Sequence, residues 1–259
     1  MIVYYYYHVP KTGGTSMVHF FKHLTKKLPK SKLYNFDGKD GDMDYLERLH
    51  VKPIPNNKWT SQTPIIYNIK LKKLLLRKTH EYDYIFVHHH HGYRGLMEYK
   101  DKLLEIKEIL ESNGHIMKII TTIRDVVSFN NSRLNYGIRL GYQRTKEDFL
   151  NADEMFNHQT KYLFYGQLIL QQDKPNITKK QIDDLDKLID IFIETKNISS
   201  FMDTLADKLN ISYNSTYKKN VTKHKITLDN RKPKLLKNNY LDAYLLEKYI
   251  TKKSQQFNV

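Results

Sequence analysis

The chain has 259 residues, enough to bury the core of one large α/β domain, and no shift in composition divides it. Lys and Arg number 43 against 28 Asp and Glu, a formal charge of +15. That excess favours polyanions such as nucleotides, sulfated glycans, nucleic acid or acidic lipids, although a solvated surface accounts equally well for most of the lysines. Cysteine is absent, which excludes disulfides, thiolate metal sites and thiol catalysis.

Residues 2–7 are β-branched and aromatic and predict a first, buried strand; the run is too short and too poor in basic residues for a leader peptide. PKTGGTS follows at 10–16, and residues 16–28 carry Val18, Phe21 and Leu24 at helical spacing. Residues 29–64 hold four of the seven prolines and read as a long connection with a short helix at 43–50. A helix is expected over 65–79, a second strand over 82–87 and a helix over 99–110 that ends at Gly114. A third strand covers 116–123, with helices over 125–136 and 152–165. Residues 185–193 fit helix or strand, 199–209 fit a helix, 212–233 a basic loop and 235–250 a last helix. Strands alternating with helices imply a single α/β domain over 1–259: a P-loop-like central parallel sheet flanked by helices on both faces. No apolar run approaches the ~20 residues of a membrane span, so the expectation is a soluble, cytoplasmic protein with no membrane or nucleic-acid partner.

A loop between a buried strand and a helix is an anion site, because the first N–H groups of the helix are unpaired and its dipole favours negative charge. Here Gly13 and Gly14 permit close approach to a phosphate, Thr15 and Ser16 add hydroxyls, Lys11 adds an ammonium, and Thr12 is counted with them as a cofactor contact. This is not the nucleotide-triphosphatase loop, in which the Lys follows the last Gly.

HVPKTGGTS at 8–16 resembles the 5′-phosphosulfate loop of the carbohydrate sulfotransferases of the heparan sulfate 2-O and chondroitin type, Golgi enzymes that use 3′-phosphoadenosine 5′-phosphosulfate (PAPS). The resemblance implies that Lys11 contacts the oxygen bridging phosphate and sulfate, and that Gly13, Gly14, Thr15 and Ser16 hold the 5′-phosphate. In TTIRDVVSFNNSRLNYG at 121–137, Arg124 and Ser132 stand at the spacing of the family's 3′-phosphate pair, with Val126 where the family often has Pro. An ordinary helix-start ion pair between Arg124 and Asp125 is the alternative. FNHQTKYLFYG at 156–166 is similar to a family segment that implies acceptor or nucleotide contacts for Asn157 and Lys161; a structural amphipathic helix fits as well. YKKNVTKHK at 217–225 resembles the family's late basic loop, which implies 3′-phosphate contacts for Lys218, Lys219 and Asn220, against a plain solvated charge run.

VHHHHGYRGL at 87–96 ends a predicted strand, where open α/β sheets bind ligands. A sugar hydroxyl needs a general base, and the resemblance places a histidine here. His91 is the first candidate and His89 the second, with Arg94 as a contact for an anionic acceptor. A His run can also bind a divalent cation, but it lacks a third ligand and a carboxylate, so no metal is expected. The resulting expectation is sulfuryl transfer from PAPS to a hydroxyl acceptor, a glycan, leaving adenosine 3′,5′-bisphosphate. A small-molecule kinase and a non-enzymatic polyanion-binding protein are the alternatives.

Overall fold

The computed structural model describes residues 1–36, 63–90, 95–141, 145–152, 156–166, 176–214 and 226–253. Five strands, β1 (Ile2–Tyr7), β2 (Ser31–Phe36), β3 (Tyr84–His89), β4 (Ile116–Ile123) and β5 (Ile191–Glu194), form one sheet in the order β2-β3-β1-β4-β5. Every pairing is parallel, as expected of strands separated by helices.

The helices lie on both faces because alternate residues of β1 point to opposite sides. Val3, Tyr5 and Tyr7 join one apolar layer with Leu103, Ile106 and Leu110 of α3 (Lys100–Ser112) and with Leu241, Leu245 and Tyr249 of α10 (Tyr240–Lys253). Leu71, Leu74 and Leu75 of α2 (Thr63–Lys78) complete that layer. Tyr6 joins the other, with Met17, Phe20, Phe21 and Leu24 of α1 (Gly14–Lys27) and Phe201, Met202 and Leu205 of α8 (Ile198–Lys208). A third cluster holds α4 (Val126–Arg139), α5 (Lys146–Asn151) and α9 (Lys232–Asn238) together through Val126, Leu134, Phe149, Leu150 and Leu235.

Three expectations change. Residues 31–36 are a strand, not part of a connection; among the described residues this edge strand pairs on one side only, so its Ser, Lys and Asn are tolerated and the apolar signal is weak. The expected helix over 152–165 is shorter, α6 (His158–Tyr165), preceded by Asn157 in the left-handed region at φ 51°. Residues 185–193 resolve into a 3₁₀ turn, Asp184–Lys187, and the four-residue β5; α7 (Lys179–Asp183) precedes them. The expected helix at 43–50 lies outside the described residues.

β1 and β4 are neighbours, with Tyr7 opposite Thr121, so the loop after β1 meets the end of β4. Four buried groups lock the two. Thr12 Oγ1 donates its only proton to the Val9 carbonyl (2.5 Å), so the Thr122 hydroxyl must donate to Thr12 Oγ1 (2.7 Å), and the Tyr6 phenol to Thr122 Oγ1 (2.7 Å). Thr195, just past β5, adds its hydroxyl to the carbonyls of Thr12 (3.2 Å) and Ile123 (3.0 Å). Thr122→Val keeps the shape but removes the acceptor 2.7 Å from the buried Tyr6 phenol and leaves it only the Thr12 hydroxyl, which already donates to Val9. A loss of roughly 1–3 kcal/mol is expected in urea unfolding, against about 1 kcal/mol for Tyr6→Phe, which removes the donor and strands nothing. Equal losses would contradict the direction assigned to the chain.

Candidate functional site

The loop after β1 turns into α1 through Gly13, at φ 95°, where a Cβ would also fall 2.3 Å from Ile198 Cδ1. At Gly14 a Cβ would fall 2.0 Å from Cε1 of His8, so the imidazole of His8 lies directly against the first turn of α1. Gly14 is the first residue of α1, Thr15 is exposed and Ser16 half-buried; no side chain caps the helix and no acidic residue stands in its first turn. The N-terminal amides and the positive end of the dipole therefore face outward from the loop. Thr12 is different from its neighbours: its hydroxyl is committed to Val9 and Thr122, so any contact it makes with a ligand comes from its backbone.

Arg124 follows β4 directly, and its backbone is clamped. Gln159 on α6 accepts from the Arg124 N–H (2.7 Å) and donates to its carbonyl (2.8 Å). Gln159 is itself fixed by the buried carboxylate of Asp242 on α10, which accepts from the backbone N–H of Gln159 (3.2 Å) and of Thr160 (2.8 Å). Burial pushes the Asp242 carboxyl up, and these backbone bonds at the start of α6 oppose the shift. Asn157 belongs to the same joint: its Oδ1 accepts from Leu241 N–H (2.8 Å) and its N–H donates to Asn239 Oδ1 (2.9 Å). The acceptor contact expected of Asn157 gives way to a buried structural one, because the side chain is committed to the start of α10. Asp125 caps α4 by accepting from Ser128 N–H (2.8 Å) and makes no close ion pair with Arg124 among the described contacts. Burial pushes the His158 imidazole well below its ordinary pKa, and Arg133 and then Lys161, on α6, add to the shift.

Ser132 stands on α4, and Tyr136 and Arg139 follow it at i+4 and i+7 on the same face. That face meets the loop. Lys11, in the left-handed region at φ 67°, places its Nζ 3.8 Å from the centre of the Tyr136 ring, and the Arg139 guanidinium lies 5.0 Å from the same ring. The Lys11 ammonium is pushed below its ordinary pKa, first by burial, then by Arg139 and Arg124. Arg124 is likewise pushed down by burial, against the opposing charge of Asp125. Lys11, Arg124 and Arg139 thus converge, and none pairs with a described carboxylate. The sequence reading missed Tyr136 and Arg139, although their helical spacing from Ser132 was legible.

The histidines divide by strand alternation. His88 faces the α1 side: its Nδ1–H donates to Asn35 Oδ1 (2.6 Å), which leaves Nε2 to accept from His8 Nδ1–H (3.3 Å). His90 stacks on His8 with ring centres 3.9 Å apart, and its Nδ1 lies 3.4 Å from the His8 carbonyl. A row Asn35–His88–His8–His90 therefore leads to the loop at Gly14. His89 faces the other layer. It is buried among Tyr5, Tyr7 and Tyr99, its Nδ1 bonds the Tyr5 phenol (2.6 Å), and burial pushes its pKa down to about 3. His89 is consequently a core histidine and not the base that its neighbours in sequence suggested. His91, Arg94, Lys218, Lys219 and Asn220 lie outside the described residues. Ile226 and Leu228 are docked on α4 beside Ser132: Asn135 exchanges two bonds with the Ile226 backbone, and Asn131 accepts from Leu228 N–H (2.7 Å). Among the described residues no group of His, Asp and Glu has the arrangement of a metal site, and no helix is long and apolar enough to cross a membrane.

No protein-family profile matches the chain, and no curated protein matches it in sequence. Among solved structures, the sulfotransferase from Alicyclobacillus acidocaldarius superposes over 99% of this chain and 98% of its own, with 10% identity and a TM-score of 0.49. The Deinococcus radiodurans tunicamycin resistance protein superposes over 81% of this chain and 96% of its own, with 12% identity and a TM-score of 0.39.

The state of His89 has a measurable consequence. The unfolded chain takes up a proton near 6.5 that the folded chain refuses until about 3, so stability is present above 6.5 and lost as pH falls through that window. The slope is about 1.4 kcal/mol per pH unit, and His158, also pushed far down by burial, adds a second such slope. In urea unfolding between pH 7 and pH 4, His89→Phe should be less stable at pH 7, because Tyr5 loses its partner, yet flatter with pH. An unchanged slope would mean that His89 is not buried in its neutral form.

Proposed function

We propose that the chain is a sulfotransferase that takes its sulfuryl group from PAPS and gives it to a hydroxyl acceptor, with a glycan as the acceptor class. One observation carries the reading. The Lys11–Ser16 loop and the Arg124–Ser132 segment, more than a hundred residues apart in sequence, meet at the ends of adjacent strands around cations that make no close ion pair with a described carboxylate. A ligand that fits must be anionic at more than one point. The uncapped first turn of α1 offers backbone N–H groups to a phosphate, and Arg124 offers a planar fork for a second.

When bound, the donor supplies an activated sulfuryl group on a good leaving group. The residues of the chain do the rest. Gly13, Gly14, Thr15 and Ser16 hold the 5′ end. Arg124 and Ser132 hold the 3′-phosphate, with Lys218, Lys219 and Asn220 as further contacts. Lys11 stabilises the charge that grows on the departing oxygen. A histidine at the end of β3 takes the acceptor proton; His91 remains the first candidate, and His90 replaces His89 as the second because it stacks at the loop. Arg94 and Lys161 are kept as contacts for an anionic acceptor.

The kinase alternative needs a carboxylate at a strand end for Mg²⁺. Among the described residues, Asp125 caps α4 and Glu194 pairs with Lys196 at 2.8 Å. Calorimetry with adenosine 3′,5′-bisphosphate against ATP separates the readings. Tight binding of the bisphosphate without Mg²⁺ is expected. A preference for ATP with Mg²⁺ would overturn the proposal in favour of a kinase, and binding of neither in favour of a polyanion-binding protein.

Two sets of variants test the roles. Lys11→Ala should nearly abolish sulfuryl transfer with the fold intact. Arg124→Ala and Ser132→Ala should weaken adenosine 3′,5′-bisphosphate more than adenosine 5′-phosphate, and an equal loss for both nucleotides would remove these residues from the 3′ site. Among single His→Ala changes, His91 or His90 should lower turnover by roughly 10²–10⁴ and abolish the rising limb of the pH–rate profile near the ordinary His range. Turnover close to wild type in both would place the base elsewhere.

A further inference from the structure

The polar face of α4 extends beyond Ser132. Tyr136 and Arg139 follow at i+4 and i+7, and the ring of Tyr136 sits beneath both Lys11 Nζ (3.8 Å) and the Arg139 guanidinium (5.0 Å). Two cations over one ring are held by its negative face, but they repel each other, and no described carboxylate neutralises either. Helix-dipole complementarity explains a basic residue at the end of α4, since Arg139 is its last residue. It does not explain the inward path of Lys11, whose half-buried ammonium is brought to the same ring from a different segment of the chain.

We propose that Tyr136 and Arg139, with Lys11, form a subsite for the compact tetrahedral anion at the reactive end of the donor, in which Arg139 binds the anion and Tyr136 seats Lys11. This rests on the reading of the loop as a phosphosulfate site and deepens it: Arg124 and Ser132 face the distal phosphate, and Arg139 the end that reacts. Tyr136 is a positioning residue. Its ring holds the Lys11 ammonium at the loop in the absence of ligand, at little cost in hydration, and releases it to a stronger partner. An arriving sulfate or phosphate oxygen outcompetes a ring face, because a charge-assisted hydrogen bond is the stronger interaction.

The subsite is testable without the nucleotide. The probes are inorganic sulfate and pyrophosphate, and the readout is the Lys11 side-chain resonance, assigned by its loss in Lys11→Ala. Both anions should shift it in the wild type and raise its pKa. Arg139→Gln, a change at an exposed position, should weaken both anions about tenfold and raise the Lys11 pKa in the free protein, since the like charge that lowers it is gone. Arg139→Lys should restore part of the affinity. Tyr136→Leu should move the free Lys11 resonance and lower turnover with the anion affinity nearly unchanged.

The outcomes separate this proposal from the reading beneath it. If the wild type binds sulfate through Lys11 while Arg139→Gln binds it equally well, the subsite is wrong and the donor assignment stands. If the anions bind in an Arg139-dependent way but adenosine 3′,5′-bisphosphate does not bind, the subsite stands and the donor assignment falls. If neither anion shifts Lys11, the subsite is wrong.

Discussion

A single file of protons holds the site together. Tyr6, Thr122 and Thr12 each own one hydroxyl proton, and the file ends at the Val9 carbonyl, so each group is satisfied in one arrangement only. All three side chains are buried, where a misdirected hydroxyl would be left unpaired. The file crosses from β1 to β4 and fixes the loop against the strand that delivers Arg124. It also explains why Thr12, in the middle of the glycine-containing loop, turns its hydroxyl into the core, so that the loop is organised by its own bonds.

The second constraint comes from the far end of the sequence. Asp242, on the last described helix, reaches the first turn of α6 and fixes Gln159, which clamps the backbone of Arg124. Burying a carboxylate raises its pKa, and the amides at the start of α6 recover part of that cost. The segment 156–166 therefore acts at one remove: it holds Arg124 by its backbone and leaves the half-buried guanidinium out of the clamp. Asn157 and Asn239 tie the same two helices by side-chain-to-backbone bonds, so α6 and α10 meet as one unit.

Strand alternation gives the consecutive histidines of β3 unlike fates. His89 turns into the tyrosine-rich layer and is kept neutral, while His88 turns to the opposite face and joins Asn35 and His8. His8 in turn occupies the space that a side chain at Gly14 would need. The glycine pair thus does two jobs: Gly13 accepts a left-handed backbone, and Gly14 makes room for an imidazole at the mouth of the loop.

Local signals were enough for much of this. The strands β1, β3 and β4, their intervening helices and the parallel α/β class were legible because each buried strand is a continuous β-branched or aromatic run and each helix keeps its apolar period. The loop at 10–16 and Arg124 were legible as candidates because the types and order of their residues suit an anion. Edge strand β2 was not, since half of it faces away from the core and its composition resembles a loop. The roles of His8, Asn35, Tyr136, Arg139 and Gln159 belonged to the tertiary structure alone. Which histidine is sealed and which reaches the loop depends on strand register and on what the neighbouring strand presents. Which cations converge depends on the adjacency of β1 and β4, and no spacing along the chain encodes a contact between segments more than a hundred residues apart.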